Sequence, residues 1–299
     1  MKIAVSSMAF ESLDEIFDFF GRHPEIYLEL GVDLREEEVE AIARRGIPAS
    51  SLHVPCPFER FMPNMASFDP QALEASIEIT KRSLEAAAMC KASAAVLHPG
   101  YATDLLLPSD PESRDAFLTE ISGKVPCYIL DGASATTSAE YPLSPEYKSY
   151  MAQLAKKARL AIAMAKGRGI AMAFENLNPR YPYLCQSPRD IRFLSDSVDD
   201  ISFCLDIGHL WISSCAHGFD FYAALSSVLE TGKVAAVHLS NNSTGGTKFS
   251  DDHRHLLEGK VDVKKCLEVI LPYRPGILVI EVKGDPTPDV DLLANIVTS

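Results

Sequence analysis

Eight short apolar runs, separated by amphipathic segments, constrain the fold of this chain more than any other feature of its sequence. The runs are rich in Val, Ile, Leu and Ala, and they span residues 2–7, 25–31, 49–55, 93–100, 170–177, 201–208, 233–241 and 276–284. Near-continuous apolar runs of this length are typical of parallel strands that are buried on both faces. The chain therefore predicts eight such strands.

Amphipathic patterns fill most of the intervals between the runs. Two of them open with Asp69-Pro70 and Ser144-Pro145, pairs that favour the first turn of a helix. The predicted helices cover residues 11–20, 35–46, 69–93, 144–169, 187–197, 218–232 and 261–273. Strand followed by helix, repeated along the chain, predicts a single-domain (β/α)8 TIM barrel over residues 1–299. A doubly wound open sheet is the alternative.

One long segment, residues 101–143, interrupts this alternation after the fourth predicted strand. It is rich in Pro, Ser, Asp, Thr and Gly, and its one apolar patch lies at residues 125–130. Loops of this length inside compact domains are usually functional or disordered. We expect the insertion to form a lid or wall over the barrel mouth.

Composition narrows the functional classes. The chain is 47% apolar and has a net charge of −13, which argues against a general nucleic-acid surface. Seven cysteines without a Cys-x-x-Cys pair indicate reduced, mostly buried thiols. The sequence has no secretory leader pattern and no apolar run long enough for a membrane span, so we expect a cytoplasmic protein. Its oligomeric state stays open.

Seven of the eight predicted strands end on a side chain that can bind a metal ion or move a proton. These residues are Glu29, His53, His98, Glu175, Asp206, His238 and Glu281. Singly, each is explained by a helix cap, an ion pair or a hydrogen-bonded rim group. Together they indicate one shared site, because the carboxyl ends of barrel strands converge on one mouth.

Two further segments add ligand-type side chains at the same mouth. His209 follows Asp206 by three residues, and the loop over residues 243–263 carries Asp251 and His253, one residue apart. Mixed carboxylate and imidazole groups suit Zn, Mn, Co or Fe, and they suit neither a thiolate site nor a calcium cage. We therefore predict a divalent-metal centre.

The motifs that carry these residues resemble those of the xylose isomerase-like TIM-barrel superfamily, which includes sugar isomerases, epimerases and endonuclease IV. They are LHPG (97–100), FENLNP (174–179), DIGH (206–209), VHLSN (237–241), DDHRHLLEGKVD (251–262) and VIEVKG (279–284). The resemblance covers almost the whole chain. It implies a TIM-barrel enzyme that uses one to three divalent ions.

Resemblance to the ketose epimerases and related isomerases implies a single ion. Its ligands at the matching positions are Glu175, Asp206, His238 and Glu281. Glu175 and Glu281 would be catalytic, one removing a proton from the substrate and the other returning it. His209 would bind a substrate oxygen, while Arg254 and Lys283 would neutralise an anionic group. The substrate would be a sugar, a sugar phosphate or a hydroxy-keto compound.

Resemblance to endonuclease IV implies three zinc ions and a larger ligand set. All nine matching positions have the required residue type: His53, His98, Glu175, Asp206, His209, His238, Asp251, His253 and Glu281. The residues that follow Glu175 and His238 depart from that enzyme's pattern, and the insertion is foreign to it. A hydrolase of phosphodiesters, at abasic sites in DNA or in another phosphate ester, is the alternative function, and only it would involve nucleic acid.

This sequence context favours an isomerase or epimerase that acts on a small sugar-like molecule. A third interpretation is a barrel that binds a metal or a sugar without turnover. Paired carboxylates at a metal are typical of proton-transfer enzymes, so the two enzymatic interpretations come first.

Overall fold

Eight parallel strands close into a barrel in the computed structural model, which describes residues 1–298. The barrel strands are β1 (Lys2–Ser6), β2 (Tyr27–Leu30), β3 (Ala49–Val54), β4 (Ala94–Leu97), β7 (Ala171–Glu175), β8 (Ser202–Asp206), β9 (Val234–Leu239) and β10 (Ile277–Ile280), and a separate antiparallel pair is β5 (Ile129–Asp131) and β6 (Thr136–Thr137). Each barrel strand pairs with its neighbours in chain order, and β10 closes on β1. The predicted TIM barrel is confirmed.

Helices surround the barrel and cover its outer face. They are α1 (Leu13–Arg22), α2 (Glu36–Arg45), α3 (Pro70–Met89), α4 (Pro111–Ser122), α5 (Pro145–Lys166), α6 (Pro188–Ser197), α7 (Ile207–His217), α8 (Phe221–Leu229), α9 (Val263–Ile270) and α10 (Thr287–Thr298). The predicted caps of α3 and α5 are present, since Asp69 accepts from the backbone of Gln71 and Ser144 from that of Tyr147. The sequence patterns missed α4, α7 and α10.

Small apolar side chains fill the interior of the barrel. They are Ala4, Ala94, Val96, Ala173, Cys204, Ala236, Ile277 and Val279. Side chains along a strand alternate between its two faces, so the residue two positions further along each strand also points inward. The next inward layer is therefore polar, and it lies at the carboxyl ends of the strands.

The insertion is folded against the barrel mouth. It contains α4 and the β5–β6 pair, and its backbone bonds to the loops that follow β3 and β7. The amide of Met62 donates to the carbonyl of Leu107 at 2.8 Å, and that of Thr137 donates to Pro179 at 2.6 Å. These bonds hold the segment against the loops that follow the carboxyl ends of β3 and β7.

The cysteines follow the expectation from composition. All seven are free, and only Cys127 and Cys215 are exposed. Among residues 1–298, no helix combines the length and apolar character needed to cross a membrane.

Candidate metal centre at the barrel mouth

Four side chains from adjacent strands meet at the centre of the mouth. Glu175 and Asp206 are the last residues of β7 and β8, His238 lies in β9, and Glu281 follows β10. The Nδ1 atom of His238 is 3.1 Å from Glu281 Oε2, 3.4 Å from Glu175 Oε1 and 3.9 Å from Asp206 Oδ2. One donor atom from each of the four lies within 4.8 Å of the others. We call these four residues the central cluster.

Two atoms of the central cluster lack a hydrogen-bond partner. Asp206 Oδ2 and His238 Nδ1 are both buried, and neither bonds to any group in the described part of the chain. A buried polar atom without a partner is costly, and a coordinated cation would satisfy both atoms at once. Three carboxylates and one imidazole are ligands that Mn, Fe, Co or Zn accept. The residues present therefore fit a divalent ion.

A second group, the first lateral cluster, shares Glu175 with the central one. It consists of His53, His98 and Glu175. The Nε2 atoms of the two histidines lie 3.1 Å and 3.4 Å, respectively, from Glu175 Oε2. The other carboxylate oxygen, Oε1, faces His238. Glu175 can thus offer one oxygen to each of two ions.

A third group, the second lateral cluster, comes from α7 and the loop after β9. It consists of His209, Asp251 and His253. Asp251 Oδ2 is 3.2 Å from His209 Nε2, and Asp251 Oδ1 is 3.4 Å from His253 Nε2. The backbone φ of His253 is 44°. Positive φ angles are uncommon for residues other than glycine, and they occur more often at functional sites.

All five clustered histidines are oriented by the protein through the ring nitrogen that faces away from their cluster. The contacts are His53 Nδ1 with the Val54 carbonyl at 3.2 Å, His98 Nδ1 with Tyr101 Oη at 3.3 Å, His209 Nδ1 with the Asn176 carbonyl at 3.0 Å, His238 Nε2 with Glu29 Oε2 at 3.2 Å and His253 Nδ1 with the Glu281 carbonyl at 3.1 Å. Metal-binding histidines show this arrangement because the outer bond fixes the ring and its tautomer.

Glu29 differs in role from the other strand-end residues. It belongs to none of the three clusters, and its carboxylate contacts His238 and the hydroxyl of Ser51. The sequence pattern grouped Glu29 with the metal-binding candidates. The structure places it behind the candidate ligand His238, where it contacts the outer nitrogen of the imidazole.

Asp206 carries two functions on its two oxygens. Its Oδ1 accepts a hydrogen bond from the backbone of His209 at 2.6 Å and caps α7, while Oδ2 faces the central cluster. Cap and ligand were alternatives for a strand-end carboxylate. Here Oδ1 forms the cap, and Oδ2 is left available to bind an ion. Gly208, two residues after Asp206, allows this turn to lie close to Ser240, which follows β9. A Cβ at this position would lie 2.6 Å from Ser240 Oγ.

Burial and mutual contacts set the charges of the central carboxylates. Burial alone would raise the pKa of Glu175, but the four histidines around its carboxylate, His209, His238, His53 and His98, hold that pKa well below its usual range. Burial, together with the nearby charges of Glu175 and Glu281, raises the pKa of Asp206 to about 6. A cation between these carboxylates would offset that unfavourable crowding of negative charge.

A cavity of about 300 Å³ opens above the three clusters. Lys283, predicted to bind an anionic group, lines it. Arg254 pairs with Asp252, its Nε 2.8 Å from Oδ2, and is not among the lining residues. Arg114 and Arg180 do line the cavity. Sequence reasoning missed both, because each stands in a segment without a motif that marks an anion site.

Comparisons with known proteins agree on the fold. A family model described as a xylose isomerase-like TIM barrel matches residues 7–296. A solved D-tagatose 3-epimerase-like protein is 18% identical, with a TM-score of 0.70 over 100% of this chain and 97% of the other. The TTHB071 protein from Thermus thermophilus, soaked with ZnCl2, is also 18% identical, with a TM-score of 0.63 over 100% and 98%.

Endonuclease IV from Thermus thermophilus is a further structural match. It is 17% identical, with a TM-score of 0.62 over 99% of this chain and 97% of that one. No curated protein sequence matches the chain significantly. At such low identities, the structural matches establish the shared fold and leave the activity to be argued from the site.

Proposed function

This chain belongs to the xylose isomerase-like TIM-barrel family, and we propose that it is a divalent-metal enzyme that hydrolyses a phosphate ester at a three-ion centre. The observation that carries the proposal is the division of all nine predicted ligands into three clusters, two of which share Glu175. A single-ion enzyme needs only the central cluster. It gives no account of the two lateral clusters.

The lateral clusters have the features of metal sites in their own right. His53 and His98 each turn one ring nitrogen to Glu175 and contact a protein oxygen with the other. Asp251 is held between two imidazoles, and Asn178 Nδ2 donates to its Oδ2 at 2.8 Å. Such outer hydrogen bonds fix the orientation of ligands before an ion binds.

Ions held in the three clusters would supply a water nucleophile at neutral pH and stabilise charge on the attacking and leaving oxygens. The protein's own residues define where this chemistry occurs. Glu175 fixes the spacing of two clusters by presenting one carboxylate oxygen to each. Asn178 fixes the third by holding Asp251. The reacting phosphate would lie in the cavity between them.

The size and charge of the surroundings favour a small substrate. The cavity measures about 300 Å³, and the insertion contributes Pro111, Arg114 and Asp115 to its wall. The net charge of −13 does not favour a surface for duplex DNA. A phosphate ester of a small molecule therefore fits better than an abasic site in DNA.

An isomerase or epimerase is the second candidate, and one contact favours it. Glu175 and Glu281 both approach the same ring nitrogen of His238, at 3.4 Å and 3.1 Å. Two carboxylates at one ion are the groups needed to remove a proton beside a carbonyl and to return it. The substrate would then be a sugar, a sugar phosphate or a hydroxy-keto compound.

Two assays on the same zinc- or manganese-loaded protein separate the candidates. We expect hydrolysis of 4-nitrophenyl phosphate or bis(4-nitrophenyl) phosphate, and we expect its loss in His53→Ala and Asp251→Asn. Each variant alters a lateral cluster only. Arg44→Gln, on the exposed face of α2, is the control. Deuterium exchange from solvent into ketoses or hydroxy-keto acids that survives both lateral variants, without ester hydrolysis, would establish the isomerase instead.

A further inference from the structure

Two arginines, Arg114 and Arg180, line the cavity near the two lateral clusters, and neither belongs to a sequence motif that predicts an anion site. Arg114, in α4, lines the cavity together with His53 and His98 of the first lateral cluster. Arg180 lies two residues after Asn178, which binds Asp251 of the second lateral cluster. Both arginines line the same cavity as the clustered ligands.

We propose that Arg114 and Arg180 form an anion-binding pair that holds the phosphate group of the substrate against the metal clusters. This inference rests on the proposed function, because it names the substrate feature that the same cavity recognises. It assigns to the insertion a part in substrate binding, since Arg114 stands in α4.

The guanidinium of Arg114 has unused hydrogen-bonding capacity. Its Nη1 donates to the carbonyl of Ser109 at 2.8 Å, which anchors the side chain. Its Nε is buried without a hydrogen-bond partner, and within residues 1–298 no carboxylate forms an ion pair with it. A buried N–H group without a partner is unfavourable. The rest of this partly exposed guanidinium is free to bind an anion in the cavity that it lines.

Arg180 is held rigidly and keeps one donor for a ligand. Its Nη1 donates to Asp115 Oδ1 at 2.8 Å and its Nε to the carbonyl of Ser134 at 2.9 Å. Its Nη2 has no partner in the described part of the chain. The side chain is only 17% exposed. A guanidinium fixed in this way loses little conformational entropy when it binds an anion.

Helix α4 links the two groups. Arg114 and Asp115 are consecutive residues near its start, so the same turn supplies one cation and positions the other. Guanidinium groups match the geometry of phosphate oxygens through parallel hydrogen bonds. Two of them beside three cation sites would leave few phosphate oxygens without a partner. This arrangement suits a phosphate better than a neutral hydroxyl.

Calorimetric titration of the zinc-loaded protein with inorganic phosphate tests the pair directly. We expect Arg114→Gln and Arg180→Gln each to weaken phosphate binding about tenfold, the loss of one charge-assisted hydrogen-bonding group. Arg180→Lys should retain part of the affinity, because it keeps the charge without the planar fork. Arg44→Gln is the surface control, and metal content with circular dichroism establishes that each variant is folded and loaded.

A phosphate affinity within twofold of the wild-type value in both glutamine variants would overturn the proposal. Titration with acetate tests whether the pair binds a carboxylate instead of a phosphate. If acetate binding depends on the two arginines and phosphate binding does not, the phosphate proposal is wrong and a carboxylate substrate is indicated.

The kinetic assay separates this inference from the proposed function. If the wild type hydrolyses no phosphate ester but binds phosphate through both arginines, the anion site stands and the hydrolase proposal fails. If hydrolysis proceeds with unchanged KM and phosphate affinity in both glutamine variants, the hydrolase stands and the arginine pair is wrong. If both proposals are right, KM rises in the variants.

Discussion

The Nε2 atom of His238 lies 3.2 Å from the carboxylate of Glu29, and neither side chain is exposed to solvent. Ser51 Oγ donates to the same carboxylate at 2.7 Å. The opposite nitrogen of His238 faces the central cluster. A carboxylate behind a metal-binding imidazole fixes its tautomer and makes it a stronger ligand. We therefore propose that Glu29 positions His238 to bind a central ion.

Replacing Glu29 with Gln should selectively lower the affinity of the central cluster for its ion. Loss of such an outer carboxylate typically lowers metal affinity about 10- to 100-fold. Competition with a chromophoric chelator measures the affinity, and the visible spectrum of the cobalt-substituted protein reports the geometry of the site. Glu25→Gln is the matched control, since Glu25 is an exposed carboxylate near the start of the same strand. Equal zinc affinity in both variants would exclude the positioning role.

Because Glu175 belongs to two clusters, its replacement should remove more ions than replacement of a ligand that belongs to one cluster. Elemental mass spectrometry on protein purified without chelator should find three ions per chain, one for each cluster. Asp251→Asn should lose one ion, because it alters the second lateral cluster alone. Glu175→Gln should lose two, because the carboxylate serves two clusters. A wild-type content of one ion, lost entirely in Glu175→Gln, would support the single-ion isomerase instead.

The sequence predicted which side chains meet at the mouth, because barrel geometry reduces that problem to the ends of the strands. Glu175 and His238 follow inward-facing Ala173 and Ala236 by two residues. The alternation of side chains along a strand then places them in the cavity. Neither prediction required knowledge of a distant contact.

The parts that escaped prediction depend on tertiary contacts. The role of Glu29 follows from an approach of β2 to β9 across the barrel, 209 residues apart in the chain. Helix α7 escaped because its sequence, IGHLWISSC, is apolar on nearly every side and continues the apolar run of β8. The two cavity arginines escaped because the folding of the insertion, which has no motif of its own, positions them.

The double role of Asp206 makes two substitutions distinguishable. Asp206→Asn keeps a side-chain oxygen that can cap α7 but removes the negative charge from the central cluster, whereas Asp206→Ala removes both. Both variants should lose the central ion. In metal-free protein, the alanine variant should be less stable than the asparagine variant by about 1 kcal/mol, the usual value of an N-cap. Urea denaturation measures the difference. Equal stabilities would show that the cap contributes nothing.

A buried carboxylate that belongs to none of the three clusters predicts how stability varies with pH. Burial raises the pKa of Asp190 to about 6, although hydrogen bonds from Tyr147 and Ser187 partly counter the shift. The usual value in an unfolded chain is about 3.9, so the folded state binds more protons between these two values. The free energy of unfolding contributed by Asp190 is therefore greatest at low pH and is lost as the pH rises through the folded-state value.

Asp190→Asn isolates this contribution. The free energy of unfolding of the metal-free wild type, minus that of the variant, should fall by roughly 2 kcal/mol between about pH 4 and pH 7, because most of a two-unit pKa shift is expressed over that range. Urea denaturation at several pH values gives both quantities. Asp196→Asn, at a less buried position of the same helix, should leave the pH dependence unchanged. A constant difference for Asp190→Asn across that range would mean that the folded protein keeps this carboxylate ionised at no cost.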